Sequence, residues 1–160
     1  MKRIYLFPNK LKLPALVVFV ISLVLIILQF SEISIPLNMK VFAVVSDPFL
    51  DSENTGNFIW VEQDIYNEIL DFLFFTSGIV LTFSKEKIED EMIGFLRFKS
   101  LTYATYFAFS LLVISEFILY GMSFGYVIMF FFYCFVLFLN IFYYTKLFIY
   151  KKQFSHENED

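Results

Sequence analysis

Three carboxylates stand where apolar sequence surrounds them. Glu116 is the one charged residue of LLVISEFILY (residues 111–120), and Glu68 and Asp71 fall three residues apart near the start of IYNEILDFLFFTSGIVLTF (residues 65–83). A charge in hydrocarbon is costly, so such residues face a protein interior, a water-filled cavity or a partner. No Lys or Arg falls near their depth. Water must therefore reach them, a cation must neutralise them, or burial must raise a pKa until one holds a proton. The chemistry this would support is cation binding or proton relay. A plainer reading makes them interfacial acids wetted by the headgroup region, and a third pairs them with basic groups on another protein. Around them run two polar stripes, Thr102 and Thr105 on the side of Glu116, and Tyr126, Tyr133 and Asn140 repeating every seven residues. The stripes either line a polar seam or supply interhelical hydrogen bonds of about 0.6 kcal/mol each. The second reading is preferred.

Other chemistry has little to stand on. One cysteine, Cys134, and one histidine, His156, give no disulfide framework, no zinc cluster and no Cys–His nucleophile pair. The five glycines form no phosphate-cradling loop. A net charge of −4 argues against nucleic acid as a partner. The expectation is a protein that is not an enzyme and uses no cofactor or metal.

The elements that must position these residues are written in the composition. Apolar residues make up 59% of the chain and charged ones 18%, against about 45–50% and a quarter in soluble domains. The surplus calls for lipid as solvent. Crossing a hydrocarbon core takes about 20 helical residues, and four runs fit: 13–30, 65–83, 101–120 and 124–149. They read as helices because a lone strand in lipid leaves its backbone unpaired, and nothing alternates as an outer-membrane barrel does. Pro14 suits a first helical turn. The first run follows Lys2, Arg3, Lys10 and Lys12 like a secretory signal, but it is too long and no small-residue cleavage site follows, so it reads as an uncleaved anchor. The expected fold is an all-α membrane protein, an antiparallel four-helix transmembrane bundle in a single domain. In it Asp71 and Glu116 each lie five residues from a helix end, about 8 Å deep.

Four spans put the N-terminus, the connector 84–100 and the tail 150–160 on one side. All of the chain's 12 Lys and Arg except Lys40 then fall on that side, Lys146 at the end of the last span included. Basic residues near spans are retained inside, which places both termini in the cytoplasm. The outer loop 31–64 is acidic, with Glu32, Asp47, Asp51, Glu53, Glu62 and Asp64. Its β-branched and aromatic stretches 39–46 and 57–62, separated by the turn-rich DPFLDSENTG, predict a short hairpin or a lid with Trp60 as an interfacial anchor. In the connector SKEKIEDEMIGFLRFKS, Ile88, Met92, Phe95 and Leu96 have helical spacing. They predict an amphipathic helix at the interface or an extension of the second span, bent at Gly94, unless the segment is a plain solvated connector. Gly121 and Gly125 are assigned to the last turn, and Ala104 with Ala108 to a close helix contact. The ending HENED reads as solvated tail.

The acid-bearing start of the second span, FSKEKIEDE at 83–91, LR at Leu96 and Arg97 and SL at Ser100 and Leu101 together resemble small four-span membrane proteins of Bacteroidetes-type bacteria, over roughly residues 65–108. The resemblance implies a bacterial inner membrane and brings no activity with it. The functional expectation is an accessory or regulatory membrane protein, acting through association with a membrane-protein partner or its own copies in the lipid bilayer. A small oligomeric cation or proton channel or transporter using Glu68, Asp71 and Glu116 is the alternative, and an immunity or defence-type membrane protein the second alternative.

Overall fold

The computed structural model describes residues 5–29, 36–46 and 56–157. A 3-10 turn at Asn9–Leu11 leads into α1 (Lys12–Gln29). Strands β1 (Asn38–Ser46) and β2 (Gly56–Asp64) follow, then α2 (Tyr66–Thr82), α3 (Glu91–Ile118) and α4 (Met122–Glu157). The structure is mostly helical with one small antiparallel sheet. Among the described residues three helical stretches, Asn9–Gln29, Glu91–Ile118 and Phe124–Gln153, are long and apolar enough to cross a membrane. The expected second span forms a helix as well, but α2 has 17 residues. At about 1.5 Å per residue it is some 26 Å long, a little short of a hydrocarbon core of about 30 Å. The chain divides into two compact units, residues 20–74 and residues 1–19 with 75–160.

In the unit of residues 20–74 the expected hairpin is present, with register from Asn38↔Asp64 to Ser46↔Gly56. Its turn lies outside the described residues except for Gly56, as do Glu32, Asp47, Asp51 and Glu53 of the acidic loop. Phe42 and Trp60 are cross-strand partners whose rings meet edge to face at 5.5 Å, with Phe58 beside them. All three are more than half exposed. Asp64 ends the sheet and begins the helix, for its Oδ1 accepts from Leu37 N at 2.9 Å and Tyr66 N at 3.0 Å. Glu68 sits in the first turn of α2, where a carboxylate is favoured by the helix dipole.

In the other unit α3 lies along α4. Phe107 stacks on Phe138 at 4.4 Å, Tyr103 meets Phe142 at 5.2 Å and Phe109 meets Phe131 at 5.7 Å. The buried residues of α3 are Ile93, Arg97, Ser100, Ala104 and Ala108, a stripe stepping by three and four as one helix face requires. Ala104 and Ala108 are fully enclosed, as expected of a close contact. The expected apolar set of the connector lies off this stripe. Ile88 is 80% exposed in a non-helical stretch, and Met92 and Phe95 are exposed on α3. The connector does not extend α2 either. Thr82 ends that helix, and Asp90 starts α3 by accepting from Ile93 N at 2.7 Å, the usual service of an N-cap carboxylate. Gly94 lies inside α3.

Two glycines have particular duties, one in a turn and one inside a helix. Gly121 has φ +72° in the turn before α4, a conformation glycine adopts without steric cost. Gly125 lies within α4 instead, because one left-handed residue completes the reversal. Gly78 of α2 has no space for a side chain, since a Cβ there would stand 2.4 Å from a Val136 methyl and 3.0 Å from the Phe19 ring. Gly78→Ala is expected to destabilise the protein by about 1–3 kcal/mol through overpacking. Thermal unfolding in detergent measures it, and trimming Val136 to Ala in the same chain should return part of the loss.

Candidate functional site

The residues that follow α2 are gathered by three other segments of the chain. Phe7 pairs with Ser84 in a short parallel bridge, where Phe7 N donates to Phe83 O at 3.0 Å and Lys85 N to Phe7 O at 2.9 Å. The Asn9 side chain donates to Lys85 O. This places Glu86 between Lys12, at the start of α1, and Lys151, near the end of α4. Both ammonium groups donate to its carboxylate, Lys151 at 2.9 Å. The Glu86 side chain is 4% exposed. The Tyr143 hydroxyl points at it from 3.5 Å, and its backbone N donates to Glu89 at 2.8 Å. Burial opposes the charge on Glu86, but the hydrogen bonds and charges of Lys12 and Lys151 outweigh it and hold the carboxyl below its ordinary range.

Beside this pair Arg97 is also buried. Its guanidinium grips Glu89 with both terminal nitrogens. It also donates through Nε to Thr82 O at 3.1 Å and through Nη2 to Ser84 O at 2.9 Å. A helix ends with four carbonyls that lack an intrahelical partner, and here each is met. Ile79 O accepts from Phe83 N, Val80 O from the Ser84 hydroxyl, Leu81 O from the Tyr144 hydroxyl at 3.0 Å and Thr82 O from Arg97. One turn earlier Asn140 donates to Gly78 O at 3.2 Å and accepts from the Thr82 hydroxyl at 2.9 Å. The negative end of the α2 dipole thus faces the Arg97 cation, the favourable arrangement.

Next to the cluster opens a groove of about 550 Å³. It is lined by the apolar Leu13, Leu16 and Leu81 and by the charged Lys12, Lys87, Lys151 and Glu86. Lys12 lies over the Tyr144 ring at 4.9 Å, a cation–π contact.

The residues expected to carry chemistry are distributed differently. Glu68 and Asp71 belong to the unit of residues 20–74, and Glu116 belongs to the other. Glu68 and Glu116 are exposed and Asp71 is half-buried. The Thr102 and Thr105 hydroxyls donate back to Phe98 O and Leu101 O within α3. Tyr126 is exposed, and Tyr133 stacks on Phe75 at 5.4 Å. Of that group Asn140 makes interhelical hydrogen bonds, and they run to α2. Glu86, Arg97 and Gly78 escape a reading by spacing, because their partners are 74, 15 and 58 residues away.

Compared with protein-family models, curated proteins and solved structures, the chain matches none. The geometry is therefore the ground for a functional reading.

Two outcomes follow for the cluster. Because Glu86 has a lower pKa folded than unfolded, its contribution is present above the ordinary carboxylate value of about 4.3 and is lost as pH falls through the lower folded value. Glu86→Gln should lower the melting temperature at pH 7 and lose part of the acid-induced decline, as melting in detergent from pH 7 to pH 3 will record. Arg97→Leu leaves the carbonyls of Thr82 and Ser84 without their donors, at about 1–3 kcal/mol each. Arg97→Lys should recover only part, since one ammonium cannot reproduce the planar fork, and chemical unfolding of the three proteins gives the comparison.

Proposed function

We propose that the chain is a four-pass bundle in a bacterial inner membrane, with both termini in the cytoplasm, and a non-enzymatic accessory or regulatory subunit that works by associating with other membrane components. The observation that carries the topology is the double pairing of Glu86. The start of α1, the connector after α2 and the end of α4 meet at one carboxylate, which supports a topology with these three segments on one side of the membrane. If α1 crosses, α2 has to return the chain for Glu86 to reach Lys12. The single crossing of α3 and of α4 then brings Lys151 to the same place. Local thinning of the bilayer accommodates a helix a few ångströms short of the hydrocarbon thickness. The Lys and Arg distribution supports the same orientation.

Association is supported by the hairpin. Phe42, Phe58 and Trp60 expose a cluster of aromatic rings, and exposed apolar patches of this kind mark interaction surfaces. Aromatic residues are also the usual anchors of interfaces.

Topology is checked with single cysteines in a chain carrying Cys134→Ala. A membrane-impermeant thiol reagent should label Val44→Cys in intact cells and Lys152→Cys only after permeabilisation. Labelling of both from one side would overturn the four-pass reading. For association, a photo-crosslinking amino acid at position 60 should yield a discrete protein adduct in native membranes at native expression. Adducts to lipid alone would refute a protein partner at this surface.

A further inference from the structure

We infer that the groove beside Glu86 is a binding site for an anionic phospholipid of the inner leaflet, the phosphate held by Lys87, Lys151 and Lys12 and one acyl chain lying on Leu13 and Leu16. The inference rests on the proposed membrane orientation, which brings the groove to the cytoplasmic edge of the bilayer.

Three features of the groove point to this occupant. The first is charge. Three lysines against Glu86 leave the mouth with a net positive charge, and basic pockets between helices on the cytoplasmic side suit anionic headgroups. Lys87 is exposed and pairs with no carboxylate among the described residues. Lys12 and Lys151 each donate to Glu86, but an ammonium has three donors, so both retain hydrogen-bonding capacity towards a phosphate. Lys151 is also half exposed.

The second feature is the gradient along the groove. Lys12, Leu13 and Leu16 follow one another on α1, so the wall turns from charge to hydrocarbon within one helical turn, about 6 Å. Leu13 and Leu16 are exposed, and they continue into the apolar run of the helix. A free phosphate would use only the mouth. A neutral lipid would use only the wall. A phosphodiester with an acyl chain uses both.

The third is preorganisation. Lys12 is held between the Glu86 carboxylate and the Tyr144 ring, so one of the cations is already in place and loses little side-chain freedom on binding. Glu86 itself faces the same mouth, and its two lysines screen it from the incoming phosphate.

The test uses the full chain purified in a mild zwitterionic or neutral detergent, with dioleoylphosphatidylglycerol as the probe and dioleoylphosphatidylcholine and glycerol phosphate as comparisons. Native mass spectrometry and melting temperature are read together. Phosphatidylglycerol should be retained at least tenfold over phosphatidylcholine and should raise the melting temperature, with both effects weakening as salt is added. Lys87→Gln, outside every ion pair of the cluster, should reduce retention severalfold at unchanged melting temperature of the lipid-free protein. Leu16→Trp, which fills the wall, should reduce it as well. Equal retention of the two lipids, or no effect of either variant, overturns the site. An equal effect of glycerol phosphate would show an anion site in place of a lipid site and overturns the inference too. Binding in detergent needs no orientation, so a failure here leaves the cysteine-labelling result intact, and a failed topology would leave measured lipid binding intact.

Discussion

Glu86 is a buried carboxylate, and its charge is held by two ammonium groups that reach it from positions 12 and 151. Burial of a lone charge would cost several kcal/mol. The pairing makes that burial tolerable, and in doing so it fixes where Lys12 and Lys151 must be. A neutral residue at position 86 would place no such demand on the starts and ends of helices. Conformational specificity of this kind is a recognised use of buried ionic groups, and here it selects the helix ends that are brought together.

The cluster also solves a backbone problem. α2 ends without a glycine cap, in surroundings where Thr82 and Ser84 are buried. Its last carbonyls would be left without donors if the following loop ran into solvent. Arg97, Tyr144 and Asn140 take that role from other parts of the fold, beside Ser84 of the loop itself. The same side chains that terminate α2 therefore attach it to α3 and α4, so local helix geometry and tertiary packing rest on one set of hydrogen bonds. Gly78 belongs to this solution, because Asn140 reaches the α2 backbone only where no Cβ intervenes.

Much of the architecture was legible in hydropathy and propensity. The long apolar runs became α1, α3 and α4, and the β-branched stretches became a hairpin, because period and length are local properties of a sequence. What spacing concealed was long-range. FSKEKIEDE is as charged as a solvated linker, and nothing local distinguishes Glu86, which is buried, from Lys87, which is not. Arg97 lies on the buried stripe because α2 supplies carbonyls for it, and a hydropathy scale counts Arg97 as a surface residue. For the candidate site, acids set in apolar runs stand out by their cost in lipid, whereas the groove is assembled from lysines and leucines that locally look like orientation signals and ordinary apolar residues.

Capping α2 with groups from α4 has a consequence for the order of biogenesis. Asn140, Tyr144 and Lys151 are synthesised well after α2 has left the ribosome. Until they arrive, Leu81 O lacks the Tyr144 donor, Gly78 O lacks Asn140, and Glu86 has Lys12 as its one ammonium partner. Closure of this cluster therefore waits on the synthesis of α4, and a polypeptide that lacks α4 leaves these polar groups without those partners.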